Sequence, residues 1–317
     1  MDLSRVCEGA GEKVGQGRER YRQVAGVVCV NVATMVWATN MVLGRFLRDY
    51  IGPVSLSAVR FFIAATIFAL LLRKRPPAER RLGEDRWLLA AMALTGIVCF
   101  SPLLYLGLRY TTAVNSTLIN ALAPLATGLF AVWLLKEPMS ARQAGGAAVA
   151  ALGVAALISG GSMSFWREAG LNIGDFYILA AVAIWGLYAV AGSRAMRCRS
   201  SLSATALSTF IAVPVLFFLA AWEVRSIPPV LDYRAVVAIL YIGVVPSAIG
   251  FYFWNAGVAR LGPGGAAVFY NMLPLYGVVF GYLFLDEPVG WPHVCGGLLI
   301  VGGGLLAVKT RQDEREA

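Results

Sequence analysis

Residues 121–160 read ALAPLATGLFAVWLLKEPMSARQAGGAAVAALGVAALISG, and residues 271–310 read NMLPLYGVVFGYLFLDEPVGWPHVCGGLLIVGGGLLAVKT. Laid over each other at a shift of 150, they align without a gap. Pro124 pairs with Pro274, Leu125 with Leu275, Phe130 with Phe280, Leu135 with Leu285, Glu137 with Glu287, Pro138 with Pro288, Gly146 with Gly296 and Gly153 with Gly303. Five of these eight pairs are Pro, Glu or Gly rather than generic apolar residues. Shared composition therefore does not explain the match, and a fixed-period repeat governs the architecture before any local motif does. With small changes of offset the repeat extends upstream: Gly107 meets Gly257, and the segment around Trp37 meets that around Trp185.

What repeats is apolar. Hydrophobic residues make up 58% of the 317 and charged residues 14%, whereas a soluble chain carries about half and a quarter. Apolar blocks fall near residues 24–44, 53–72, 87–108, 112–135, 143–160, 173–192, 203–222, 234–258, 263–285 and 291–308. Most run to about twenty residues, the reach of a helix that crosses a bilayer core. We expect an all-α integral membrane protein of ten transmembrane helices, built as two five-helix repeats around a central cavity. An odd number of spans per repeat makes the halves insert in opposite directions. The expected divisions are an N-terminal tail (1–23), a first repeat (24–160), a second repeat (173–308) and a C-terminal tail (309–317). Pro102, Pro124, Pro214, Pro246 and Pro274 fall inside spans, where they predict bends or breaks that line a cavity.

The net charge of +9 comes from Lys and Arg in the short connections between blocks, so it reports orientation and not a nucleic-acid partner. With the N-terminus inside, twenty of the 27 basic residues lie on inner segments and six on outer ones, leaving Arg60 within a span. Both termini are thereby expected in the cytoplasm. Trp87, Trp133, Trp222 and Trp291 sit at predicted helix ends, where indoles anchor at headgroups. The first apolar block is too long for a signal-peptide core and is expected to remain as a span. The five cysteines, Cys7, Cys29, Cys99, Cys198 and Cys295, are scattered singly and suggest neither disulfides nor a metal site. No cofactor is expected.

The chain resembles the drug/metabolite transporter superfamily in its EamA-type branch of ten-helix exporters. The residues that carry the likeness are Leu135-Lys136-Glu137-Pro138 and Leu285-Asp286-Glu287-Pro288, each following a proline and preceding a Gly-rich helix. Within that branch it is similar to amino-acid exporters, aromatic ones included. The resemblance implies a bacterial inner-membrane carrier whose fifth and tenth helices lie beside the cavity. Their glycine clusters, Gly145-Gly146 with Gly153 and Gly296-Gly297 with Gly302-Gly303-Gly304, suit internal packing first and a contact between copies of the chain second.

Intramembrane polar and aromatic residues are the candidate solute ligands. Trp37 and Asn40 share a face of the first helix, as Trp185 and Tyr188 do on the sixth, and Tyr252 with Asn255 on the eighth. Under the repeat Tyr105 matches Asn255, and Asn120 matches Tyr270 just before the paired prolines. Arg60 sits eight residues into a span, facing a partner, a wet cavity or helix-end carbonyls. Trp254 is read as a packing or interface residue pointing elsewhere, and Glu137 and Glu287 as caps of the bend rather than ligands. His293, the lone histidine, opens the tenth helix.

With no carboxylate at mid-span, no Walker-type phosphate loop and no catalytic constellation, the expected function is export of small metabolites by alternating access. Amino acids are the favoured class through the resemblance. The alternatives are a nucleotide-sugar or drug carrier and, in another class, a membrane-embedded receptor or enzyme without transport. The named partners are a small-molecule solute and the lipid bilayer.

Overall fold

The computed structural model describes residues 3–135, 141–159, 172–270 and 272–307. All its regular structure is helical, as a chain in hydrocarbon requires when each backbone N–H must find its acceptor within its own segment. We label the crossing helices α1 (Leu3–Phe46), α2 (Pro53–Leu72), α3 (Arg86–Tyr110), α4 (Ala113–Asn120 then Ala123–Leu135), α5 (Ala141–Ile158), α6 (Ile173–Ala195), α7 (Ser201–Glu223), α8 (Tyr233–Val258), α9 (Leu273–Leu285) and α10 (Trp291–Ala307). Seven of them are long and apolar enough to cross a membrane unaided, while α5, α9 and α10 hold shorter apolar runs. Trp87, Trp133, Trp222 and Trp291 are all largely exposed at helix ends.

Helical backbone runs without interruption from Phe251 to Tyr270, yet this stretch is not one rod. Sixteen residues of straight helix span about 24 Å, whereas the rings of Trp254 and Tyr270 lie 5.4 Å apart. The chain therefore reverses between them and delivers Tyr270 to the start of α9. The sequence-predicted break near Pro124 falls at Ala121–Leu122, just after Asn120, and Pro274 takes the first turn of α9. Both prolines thus open a new helical segment, where their missing N–H leaves no carbonyl unpaired.

Two helices contain π-helical segments, Ala93–Cys99 in α3 and Gly243–Gly250 in α8. They begin 150 residues apart, the spacing of the repeat. Such segments are rare and concentrate at functional sites. Each receives an aromatic side chain from the other half. The Tyr188 ring lies directly on Gly96, and a methyl group on Gly250 would meet the Trp37 Nε1 at 2.9 Å.

The fifth and tenth helices pair with each other. A methyl on Gly153 would lie 2.7 Å from Gly296 O, and one on Gly303 would lie 2.6 Å from Gly146 O. The contact is reciprocal, and only glycine permits backbones to come this close. Internal packing thus uses these glycines, while Gly145 and Gly302 meet nothing within 4 Å.

The Leu-x-Glu-Pro motif has a local explanation in the second half. Asp286 adopts the left-handed conformation, φ 53°, which ends α9 and which Asp tolerates better than most residues. Glu287 then reaches across to α4 of the other half, its carboxylate accepting Ala113 N–H and Val114 N–H at 2.9 Å each. A negative charge on a helix N-terminus satisfies two orphan donors at once. The cap expected from the sequence is real, but it belongs to α4 and not to the bend that carries it. Glu137, its counterpart, lies outside the described residues, as do residues 308–317, which include the C-terminal tail.

A candidate solute site between the two halves

At the centre of the bundle α1, α2, α3, α4, α6, α8 and α9 converge on one small cavity, with Trp37, Asn40, Arg60, Asn120, Trp185 and Tyr270 in its wall. All six are residues the sequence singles out. Met41, Phe100, Leu104, Phe251 and Leu273 complete the lining. Only about 20 Å³ remains in which the centre of a water molecule fits, whereas sites that hold small organic ligands span roughly 300 Å³ or more. The structure is closed around its centre.

The apolar wall is a cluster of rings. Trp37 packs against Trp185 at 5.8 Å, Phe251 at 5.6 Å, Trp254 at 5.4 Å and Tyr270 at 6.1 Å between centroids. Trp185 also meets Phe100 and Tyr188, each at 4.8 Å. The Trp37 indole N–H donates to Pro246 O at 3.1 Å, a carbonyl within the π segment of α8. This bond fixes the ring between the halves. Trp254 is a packing residue, as the sequence suggests, and stays out of the lining; its ring faces inward onto Trp37 and Tyr270, at 5.4 Å from each.

The polar wall centres on Arg60, which is 3% exposed. Its Nη1 donates to Tyr105 Oη at 2.8 Å and to Asn40 Oδ1 at 3.1 Å, and the Tyr105 hydroxyl itself donates to Asn40 Oδ1 at 2.7 Å. The guanidinium lies over the Phe61 ring at 4.4 Å, which adds a cation–π contact in a desolvated place. No carboxylate among the described residues pairs with it. Of the environments the sequence leaves open for Arg60, the structure selects the cavity and neutral side chains; helix-end carbonyls play no part. Tyr105 thus stands behind Arg60, and Tyr188 stands behind Trp185, as supports of the lining.

Two predicted residues lie elsewhere. Asn255 is buried but donates to Thr205 Oγ1 on α7 at 2.5 Å, a bond between neighbouring helices. Tyr252 is 46% exposed and faces away from the cavity; Phe251 is the lining residue. The reason is angular: successive residues on an α-helix differ by about 100°, so the turn that brings Phe251 to the cavity carries Tyr252 away from it. The other missed lining residues are apolar side chains among apolar neighbours and carry no signal of their own. The repeat could have exposed the contrast between the halves: at a shift of 148, Arg60 meets Ser208 and Asn40 meets Tyr188.

Both ends of the bundle are tied. At one end Glu223 accepts Val54 N–H at 3.0 Å and Ser55 N–H at 2.7 Å, Glu287 caps α4, and Thr111 bonds Asp175. Arg45 there donates to Leu108 O at 2.8 Å. At the opposite end Arg199 forms an ion pair with Asp85, and Ser200 Oγ donates to Glu79 at 2.6 Å.

A multi-helix membrane protein with one aromatic-walled, polar-tipped chamber enclosed between repeated halves is built as a carrier. The chain belongs to the EamA-like transporter family, whose model matches residues 24–159 and again 172–309. Among its relatives is the uncharacterized transporter YetK of Bacillus subtilis (strain 168), 29% identical over 304 residues that cover 92% of this chain and 90% of that one. Another, described as a probable terminal-alkyne amino-acid exporter of Streptantibioticus cattleyicolor, is 28% identical over 289 residues, 90% of this chain and 94% of the relative. A solved crystal structure superposes with a TM-score of 0.64 at 20% identity, over 93% of this chain and 99% of the other, and shares the fold.

Proposed function

We propose that this transporter exports small organic metabolites by alternating access, with amino acids, aromatic ones included, as its solutes. The observation that carries the reading is the central cavity, walled by Trp37 and Asn40 from the first half and Trp185 and Tyr270 from the second. Flat ring surface beside a few fixed polar atoms is what a small amphipathic solute requires. A chamber tied at both ends and too small for its cargo matches the occluded intermediate through which a carrier passes between its two open states. The relative described as a probable amino-acid exporter supports the solute class.

The reading includes a topology. Residues 24–160 and 173–308 act as oppositely inserted repeats, both termini face the cytoplasm, and the protein resides in the cell inner membrane; the excess of Lys and Arg on the assigned inner segments supports this orientation. No carboxylate among the described residues lines the cavity, so we expect flux to follow the solute gradient without proton coupling.

The test is uptake of labelled amino acids into liposomes that hold the purified protein, with and without an imposed proton gradient. Saturable flux indifferent to the gradient is expected. Flux of neutral sugars or organic cations in place of any amino acid would overturn the solute class.

A further inference from the structure

The polar groups of the cavity are incompletely used, and what is left over has a definite chemical shape. Arg60 keeps its proton in any protein setting, and a buried charge is costly unless something of opposite sign stands near. Here its hydrogen-bond partners, Asn40 Oδ1 and Tyr105 Oη, are neutral, and both bonds come from one nitrogen, Nη1. The Nε–H is buried without a partner.

In the lining of the same cavity Asn120, 1% exposed, shows the converse. Its Nδ2 donates to Ser116 O at 2.9 Å, and because a backbone carbonyl only accepts, this bond fixes which way the amide points. The Oδ1 is left buried with no donor. The lining thus holds a cationic N–H and a carbonyl oxygen, both without partners, together with aromatic rings.

We propose that the cavity grips an α-amino acid by both ends of its zwitterion: the carboxylate at Arg60 Nε–H, the ammonium at Asn120 Oδ1, and the side chain laid against Trp37, Trp185 and Phe251. This rests on the amino-acid reading above and names the part of the solute that is recognised. The carboxylate supplies the counter-charge Arg60 lacks, and a charge-assisted bond is about twice as strong as a neutral one. Asn40 and Tyr105 are positioning residues that hold the guanidinium in place. An organic cation meets the arginine's repulsion. A phosphorylated solute finds a single guanidinium where phosphates are usually met by several donors. The competing occupant is one water molecule, for which the cavity's free volume of about 20 Å³ has room.

Thermal stability and tryptophan fluorescence of the full-length purified protein separate the two. The probes are L-phenylalanine, 3-phenylpropionate, which lacks the amine, and phenethylamine, which lacks the carboxylate. We expect both carboxylates to stabilise the wild-type protein and phenethylamine to do so at least about tenfold more weakly. Arg60→Gln should lose both carboxylates by a similar factor, with partial rescue in Arg60→Lys, while Asn120→Leu should weaken phenylalanine but spare phenylpropionate. Should the variants not fold, the wild-type series still decides. Equal binding of phenethylamine and phenylalanine, or no response to either carboxylate, overturns the anchor and leaves the water. Carboxylate binding without amino-acid flux in liposomes would instead sink the transport reading and leave the anchor in place.

Discussion

A guanidinium that cannot release its proton has to be held, and the holders of Arg60 are one amide and one phenol. Tyr105→Phe removes an acceptor from the cation and a donor from Asn40 at the same time. The expected cost is about 1–3 kcal/mol, the usual range for leaving a buried polar group unmatched. It would appear as a lower melting temperature of the purified protein, with solute affinity falling as well. Trp185→Phe should keep the fold, since a ring remains between Phe100 and Tyr188, but lose part of the stacking surface. Ring pairs are worth about 0.5–1.5 kcal/mol, so binding of an aromatic amino acid should weaken roughly 2- to 10-fold, as read by titration. Most polar members of the site were legible in the sequence because an Arg or Asn inside an apolar block is expensive to keep there. Phe251, Leu104 and Met41 were not, because nothing distinguishes a lining apolar residue from a lipid-facing one. Tyr252 misled because side-chain polarity said nothing about which way the helix turned it.

The glycines of α5 and α10 make an internal control possible. Gly303→Leu drives a side chain into the backbone of α5 at Gly146 and Ala150, so yield and monodispersity in detergent should collapse. Overpacking alone costs about 1–3 kcal/mol where neighbours can move, and backbone atoms move less readily than side chains. Gly302→Leu, one residue away, meets open space and should be tolerated. The pairing of these helices was foreshadowed by their glycine spacing, as was the break after Asn120 by Pro124. The π segments were not foreshadowed: Ala93–Cys99 reads as ordinary apolar helix, and its widening becomes intelligible only once the Tyr188 ring is seen lying on Gly96.

For the whole molecule, the proposed opening of either end requires the bonds there to break, and among them is the ion pair of Asp85 with Arg199. Asp85 lies outside the spans, and its carboxyl is held below its ordinary value of 3.8, first by the hydrogen bond from Arg199 and against the opposing effect of partial burial. A lowered folded-state value means that the stability from this pair is complete above the ordinary value and fades as pH falls through the lowered one. The melting-temperature gap between wild type and Asp85→Asn should therefore hold constant from about pH 8 to pH 5 and close only below about pH 3.8. The division into ten spans and two halves was written in the sequence through the 150-residue shift; the closed state of the centre was not, because it depends on how the halves meet.

The reciprocal glycine contact, Gly153 on Gly296 and Gly303 on Gly146, has the form of an interface between two identical subunits related by a two-fold axis. Two identical subunits, however, can place only an even number of charges around their shared axis: two arginines facing each other, or none. By carrying both halves on one chain, this protein escapes that parity. Under the repeat Arg60 is matched by a serine, Ser208, so among the described lining residues there is one cation rather than a repelling pair. A single charge gives the chamber a polarity, and a solute with two unlike ends can then enter it in only one favoured sense.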